Sequence, residues 1–291
     1  MNGELAQIVA LVAHGNFFLN GGKTDLSANS TFQFVSALKF ARYKTNQDKQ
    51  GLEIAASVSD WFAFLRSIKA TRLWNIAFGW QRKDIPEYIA VSSSGSVSMA
   101  IQVDLPDGFE LWYPQWKTGA PEKKPWNVEY RSLMFPNSYI RPLEKMDFVK
   151  AQLRKTLSLA ENFSRRPDVN AGNWAACFGK SLELLDSSTP AAPFHSDMLP
   201  AEGYSLEARQ VLAAATQAYV FGGMGSWNDL GFKDSQTRQE YEKVTKELYE
   251  DVKFAIVMAS NSFEQPGLKP VQPNTQPADG ILNGLKGFFK R

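Results

Sequence analysis

Four side chains of this sequence have the chemistry of a metal-dependent hydrolase or nuclease. Asp104, Asp107 and Glu110 fall within seven consecutive positions, and His195 is one of two histidines in the chain. Carboxylates can hold a divalent ion that activates water, and a histidine can transfer the proton. We therefore keep a carboxylate-based site in the N-terminal half as an alternative function.

The local sequence around these acids favours turns. Pro106-Asp107-Gly108 is typical of a hairpin turn. Together with Glu122-Lys123-Lys124 it resembles the PD-(D/E)xK nuclease signature, but the second string lies between two prolines rather than on a strand. The sequence contains no complete catalytic, metal or nucleotide motif. We assign no catalytic residue, no metal ligand and no cofactor.

A glycine-rich string in the second half is a candidate ligand loop. Its residues are Gly223, Gly225, Ser226, Trp227, Asn228 and Asp229. The amides of such a loop can bind an anion. A structural role fits the same pattern, because Ser226 and Asp229 can form a capping box and Trp227 can pack as an anchor between the two halves of the protein.

The strongest functional signal lies in the last residues of the sequence. A proline-rich linker from Gln265 to Gly280 precedes an amphipathic peptide from Ile281 to Arg291, here called the tail. On a helix its apolar side chains form one face. The predicted docking residues are Ile281, Leu282, Leu285, Phe288, Phe289, Lys290 and Arg291. Such a tail can fill a groove on another protein, lie in a membrane interface or fold back on its own body.

Two resemblances cover about ten residues of the tail each. Leu285-Lys286-Gly287-Phe288-Phe289 looks like the hydrophobic half of a sliding-clamp-binding box, with Leu282 where such boxes usually carry glutamine. This resemblance implies a partner in DNA replication or repair. The same residues look like the membrane-targeting helices of some bacterial peripheral proteins, which implies contact with anionic lipid.

Composition limits the class of protein. The hydrophobic fraction of 44% and the charged fraction of 21% are typical of a globular chain. A net charge of +2 provides no basic field, so we expect no direct binding of nucleic acid. The single Cys177 fits a reducing compartment. The apolar stretch from Ile8 to Ala13 is too short and wrongly flanked for a signal peptide, so we expect a cytoplasmic protein.

The elements that must position these residues follow from hydrophobic periodicity. In the first half we predict a helix over 2–14 ended by Gly15, a second helix containing Phe62 and Leu65, and strands. The predicted strands cover 31–44, 72–80, 85–93, 97–104, 109–113 and 128–134. In the second half we predict four helices, with stripes over 146–160, 174–185, 211–219 and 241–259.

These elements define an α+β protein. We predict an N-terminal antiparallel sheet with flanking helices over 1–141, an all-α helical bundle over 142–264, and a linker with docking tail over 265–291. The favoured function is a non-enzymatic interaction or adaptor protein that docks a partner protein, or a membrane surface, through the tail.

Overall fold

The computed structural model describes residues 1–45, 47–77, 85–94, 99–119, 122–135 and 143–264. The helices are α1 (Gly3–Leu19), α2 (Val58–Ser67), α3 (Glu87–Ser94), α4 (Met146–Ser164), α5 (Gly172–Leu185), α6 (Leu206–Gln217) and α7 (Ser235–Asn261). The strands are β1 (Val35–Arg42), β2 (Leu52–Ala55), β3 (Arg72–Ala77), β4 (Met99–Leu105), β5 (Gly108–Thr118) and β6 (Trp126–Phe135). Two short 3₁₀ turns cover Ser30–Phe32 and Trp227–Asp229.

The strands form one sheet in the order β2-β1-β6-β5-β4-β3. The predicted α+β class is confirmed. The sheet is mixed rather than fully antiparallel, because β1 and β6 run parallel while the other neighbouring pairs are antiparallel. Parallel neighbours need a long connection, and here the whole segment from β2 to β5 lies between β1 and β6 along the chain.

The predicted turn at Pro106-Asp107 joins β4 to β5 as a tight hairpin. Leu105 pairs with Gly108, and Gly108 has a φ of 149°, a conformation that suits glycine. This turn fixes the register that places Asp104 opposite Phe109 and Val103 opposite Glu110. Successive side chains therefore alternate between the two faces of the sheet.

Two predicted elements of the first half are wrong. The stretch 85–93 is not a strand: its described part forms α3, which begins just after Pro86. Proline suits the first turn of a helix, and this signal outweighs the β-branched residues that follow. Helix α1 does not end at Gly15 but continues to Leu19. Gly15 instead allows close packing, because a Cβ there would lie 2.6 Å from Cδ2 of Leu73.

The four predicted helices of the second half are present as α4 to α7. Ser205 caps α6 by accepting a hydrogen bond from the amide of Ala208, and Asp234 caps α7 in the same way at Thr237. None of the described helices is both long enough and apolar enough to cross a bilayer.

One hydrophobic cluster extends through both halves of the described chain. It includes Trp61 and Trp112 from the first half and Trp227 and Ile256 from the second. Helices α1 and α7 pack on β3 at the edge of the sheet. The division into segments 1–141 and 142–264 stays a prediction.

Candidate functional site

The carboxylates proposed for a hydrolytic site do not converge. Asp104 and Glu110 project from opposite faces of the β4–β5 hairpin. Asp107 lies at the exposed turn between these strands, and His195 lies on the connection between α5 and α6, where its ring contacts Ser30. Among the described residues, no group of three or more His, Cys, Asp or Glu side chains is placed to hold a metal ion.

Asp104 and Glu110 each have neighbours that bind their oxygens. The carboxylate of Asp104 accepts hydrogen bonds from Trp74 Nε1 at 2.6 Å and from Gln102 Nε2 at 2.7 Å. Glu110 is buried, accepts from Trp112 Nε1 at 2.9 Å and forms a 2.5 Å ion pair with Arg42. Burial raises the pKa of Glu110, and the charge of Arg42 opposes this rise. Both groups are thereby built into the sheet.

The glycine-rich loop is organised around a buried tryptophan. Ser226 caps the 3₁₀ turn by accepting from the amide of Asn228, and Asp229 accepts from the amide of Gly225. The side-chain Nδ2 of Asn228 donates to the main-chain oxygen of Tyr88 on α3 at 3.0 Å. Ser226 therefore caps the turn as predicted, but Asp229 binds the amide of Gly225 instead of closing the predicted capping box on Ser226. The loop ties α3 to the helical half.

Trp227 cannot line an open pocket in this conformation. Its side chain is fully buried, and its indole nitrogen donates to Thr245 Oγ1 at 2.8 Å. The rings around it belong to Phe163, Trp174, Phe178 and Tyr241. This aromatic packing fits the structural interpretation of the loop, in which Trp227 is an anchor, rather than the interpretation in which it faces a ligand. The glycines Gly223 and Gly225 remain exposed.

Both histidines of the chain belong to one hydrogen-bond network around Ser30 and Asp197, an arrangement that sequence reasoning missed. His14 Nε2 lies 3.1 Å from the main-chain oxygen of Asp197, and His195 Nδ1 lies 2.9 Å from Ser30 Oγ. The Ser30 hydroxyl donates to the Asp197 carboxylate, whose second oxygen accepts from the Ser30 amide at 2.7 Å. We call His14, Thr24, Ser30, His195 and Asp197 the histidine cluster. Its members are too far apart in sequence to give a motif.

The hydrogen bonds of the histidine cluster connect two chain segments and do not form a nucleophilic relay. In a Ser-His-Asp relay the carboxylate orients the histidine. Here the carboxylate binds the serine itself, so Ser30 is held between Asp197 and His195. His14 Nδ1 contacts Thr24 Oγ1 at 2.6 Å, which closes the network on the segment after α1. The cluster joins residues 24–30 to the α5–α6 connection.

Burial lowers the pKa of both histidines. For His14 this effect exceeds the opposing influence of the hydrogen bond and the charge of Asp197. For His195 burial is again the largest cause, and the charge of Asp197 opposes it. The neutral rings are therefore favoured in the folded protein.

The predicted docking residues of the tail, from Ile281 to Arg291, lie outside the described residues, as does the linker. What the structure describes is the point at which the linker begins. We call this point the exit clamp, formed by Arg72, Gly203, Tyr204, Asn261 and Phe263.

The exit clamp holds the end of α7 against the sheet. Arg72 Nη2 donates to the main-chain oxygen of Asn261 at 2.8 Å, and the Glu264 amide donates to Gly203 O at 2.9 Å. Phe263 is buried and packs edge-on against Tyr204, with ring centroids 5.6 Å apart.

Comparison of the chain with known protein families, with curated proteins and with solved structures finds no match.

Proposed function

We propose that this chain is a cytoplasmic, non-enzymatic interaction protein that docks a partner protein through its tail. The exit clamp is the observation that carries this proposal. Phe263 is buried and the Glu264 amide is hydrogen-bonded to the body, so the chain is fixed up to the residue before the linker. The linker therefore starts from a defined anchor.

The sequence that follows this anchor consists of two parts: a linker whose composition suits a spacer, and a tail whose composition suits binding to another protein. The linker contains four prolines between Pro266 and Pro277, a composition that favours an extended spacer. The tail carries five large apolar residues at helical spacing and no acidic residue. A short helix of this kind binds in a groove through its i, i+4 and i+7 side chains.

The side chains of the body that could act in catalysis support the same proposal. Asp104 and Glu110 are bonded to Trp74 and Arg42, respectively, and Ser30 is bonded to Asp197. A general acid or base needs a free approach to a substrate. These groups instead stabilise the fold.

A protein groove suits the tail better than a lipid surface. The tail has three basic residues, and each contributes only about 1 kcal/mol near an anionic membrane. Five apolar side chains on eleven residues supply more binding energy if they enter an apolar groove, at about 1.5 to 3 kcal/mol for each fully buried side chain.

The proposal is tested by crosslinking from the tail in the full chain. A photo-reactive residue replaces Phe288, and the control carries the same residue at Met224, which is fully exposed on the glycine-rich loop. In an extract of the source cells we expect a discrete protein adduct from position 288 that is absent from position 224. The same adduct should disappear when Leu285→Ser is added.

Identical adducts from both positions would contradict the proposal, as would an adduct that is insensitive to Leu285→Ser. Crosslinking to phospholipid, together with sedimentation on vesicles of anionic lipid, would show that the tail docks on a membrane surface instead of a partner protein.

A further inference from the structure

A surface groove lies between α4 and α7. Its volume is about 520 Å³, it is open to solvent, and its lining includes Phe148, Leu159, Glu247 and Asp251. Phe148 is 53% exposed and Leu159 is 43% exposed, although both are large apolar side chains. They are eleven residues apart on α4, which is three turns, so they lie on one face. Exposed apolar side chains that share a groove are typical of an interaction surface.

The floor of this groove is polar and fixed. Gln152 Nε2 donates to Asp251 at 2.6 Å, and the Thr156 hydroxyl donates to the second oxygen of the same carboxylate. These bonds hold α4 and α7 at a set spacing, so the groove is formed before anything binds. The residues that line it include two acids, Glu247 and Asp251, and one base, Lys155.

We infer that this groove receives the tail of the same chain when no partner is bound. This inference rests on the proposed function, because it describes where the same tail lies in the free protein. The tail of eleven residues would be about 16 Å long as a helix, which equals the rise between Phe148 and Leu159 on α4. Its apolar face complements the two exposed apolar side chains Phe148 and Leu159, and its basic residues can pair with the lining acids Glu247 and Asp251.

The linker is long enough for this contact. It has sixteen residues from Gln265 to Gly280 and can extend about 50 Å at about 3.1 Å per residue. The groove lies beside Asp251, ten residues before the end of α7 at Asn261, and this distance is about 15 Å along the helix. The tail therefore reaches the groove of its own chain without any change in the body.

This contact regulates docking. A tether that can span the distance between two sites raises the local concentration of one at the other, so a weak contact is populated within one molecule. The partner then competes with the groove for the same apolar face. Its apparent Kd equals the intrinsic Kd divided by the fraction of chains whose tail is free.

The inference is tested by disulfide formation in the full chain. A Cys177→Ser background removes the native thiol, and Leu159→Cys is combined with Phe288→Cys. The control combines Phe288→Cys with Met224→Cys, since Met224 is fully exposed and lies on the glycine-rich loop rather than in the groove. We expect the 159–288 disulfide to form at least tenfold faster than the 224–288 disulfide. Glu247→Lys should reduce this ratio at least threefold, because it reverses a charge on the groove.

Equal rates for the two pairs would overturn the inference. A disulfide-linked dimer whose yield rises with protein concentration would also overturn it, because the tail would then occupy a second copy. The two proposals fail separately. A partner adduct from position 288 without a fast 159–288 disulfide leaves the proposed function standing, whereas a fast disulfide without any adduct leaves only the groove contact.

Discussion

The side chain of Asn261 binds both main-chain groups of Asn75. Asn261 Oδ1 accepts from the Asn75 amide at 2.7 Å, and Asn261 Nδ2 donates to Asn75 O at 2.8 Å. The side chain of Asn16 makes the same pair of hydrogen bonds to the main chain of Leu73: Asn16 Oδ1 accepts from the Leu73 amide and Asn16 Nδ2 donates to Leu73 O, both at 2.8 Å. Strand β3 is an edge strand, and these two amides take the place of a further strand along it.

Asn261→Leu should therefore destabilise the protein by about 2 to 4 kcal/mol, because it leaves a buried amide and a buried carbonyl of Asn75 without a partner. The free energy of unfolding in denaturant measures this loss. The matched control is Asn173→Leu at an exposed position of α5, which should change stability by less than about 0.5 kcal/mol. Equal effects of the two variants would show that the amide pairing contributes nothing.

The pH dependence of stability should report the raised pKa of Glu110. Because burial raises this pKa above 4.5, the folded state holds more protons than the unfolded state just above pH 4.5. The stability of the wild type relative to Glu110→Gln should therefore fall as pH rises from 4.5 through the folded pKa. A relative stability that rises over this window would mean that Arg42 dominates and lowers the pKa.

The histidine cluster predicts a dependence of opposite sign. Because burial lowers the pKa of His14 below 6.5, the unfolded state takes up protons first as pH falls. The stability of the wild type relative to His14→Gln should therefore decrease as pH falls from 7 through 6.5 towards the folded pKa. Chemical denaturation at a series of pH values measures this difference. A flat difference between pH 7 and pH 5 would contradict the buried, neutral state of His14.

Trp227→Ala should cost about 3 to 5 kcal/mol, because it empties the centre of a buried aromatic group. Met224→Ala in the same loop is the control and should be neutral within about 0.5 kcal/mol, since Met224 is fully exposed. Thermal or denaturant unfolding separates the two. If Trp227→Ala were as mild as Met224→Ala, the loop would be free to bind a ligand as the sequence pattern allows.

The sequence predicted the fold where periodicity was long. The stripes over 146–160 and 241–259 exceed four turns, and α4 and α7 follow them. Periodicity did not assign every short segment correctly. The apolar run that forms α3 has the composition of a strand. Gly15 has the residue type of a helix stop, but it lies inside α1 and allows close packing. The parallel β1–β6 pair depends on contacts far apart in sequence.

The candidate sites were harder to predict for the same reason. Asp104 and Glu110 look paired in sequence, but alternation along the hairpin separates them onto two faces. His14 and His195 look isolated, yet the fold brings His14 to the main-chain oxygen of Asp197 and brings Ser30 to the ring of His195. The tail and linker, in contrast, carry their signal within one continuous segment, and they lie outside the described residues.

The most direct test of the account removes the tail and measures partner binding. Deletion of residues 266–291 should weaken binding of the crosslinked partner at least a hundredfold. It should change the Tm of the same sample by no more than about 3 °C, because the exit clamp keeps the body intact. Unchanged partner affinity after the deletion, or a large fall in Tm, would contradict the claim that the tail is the docking element.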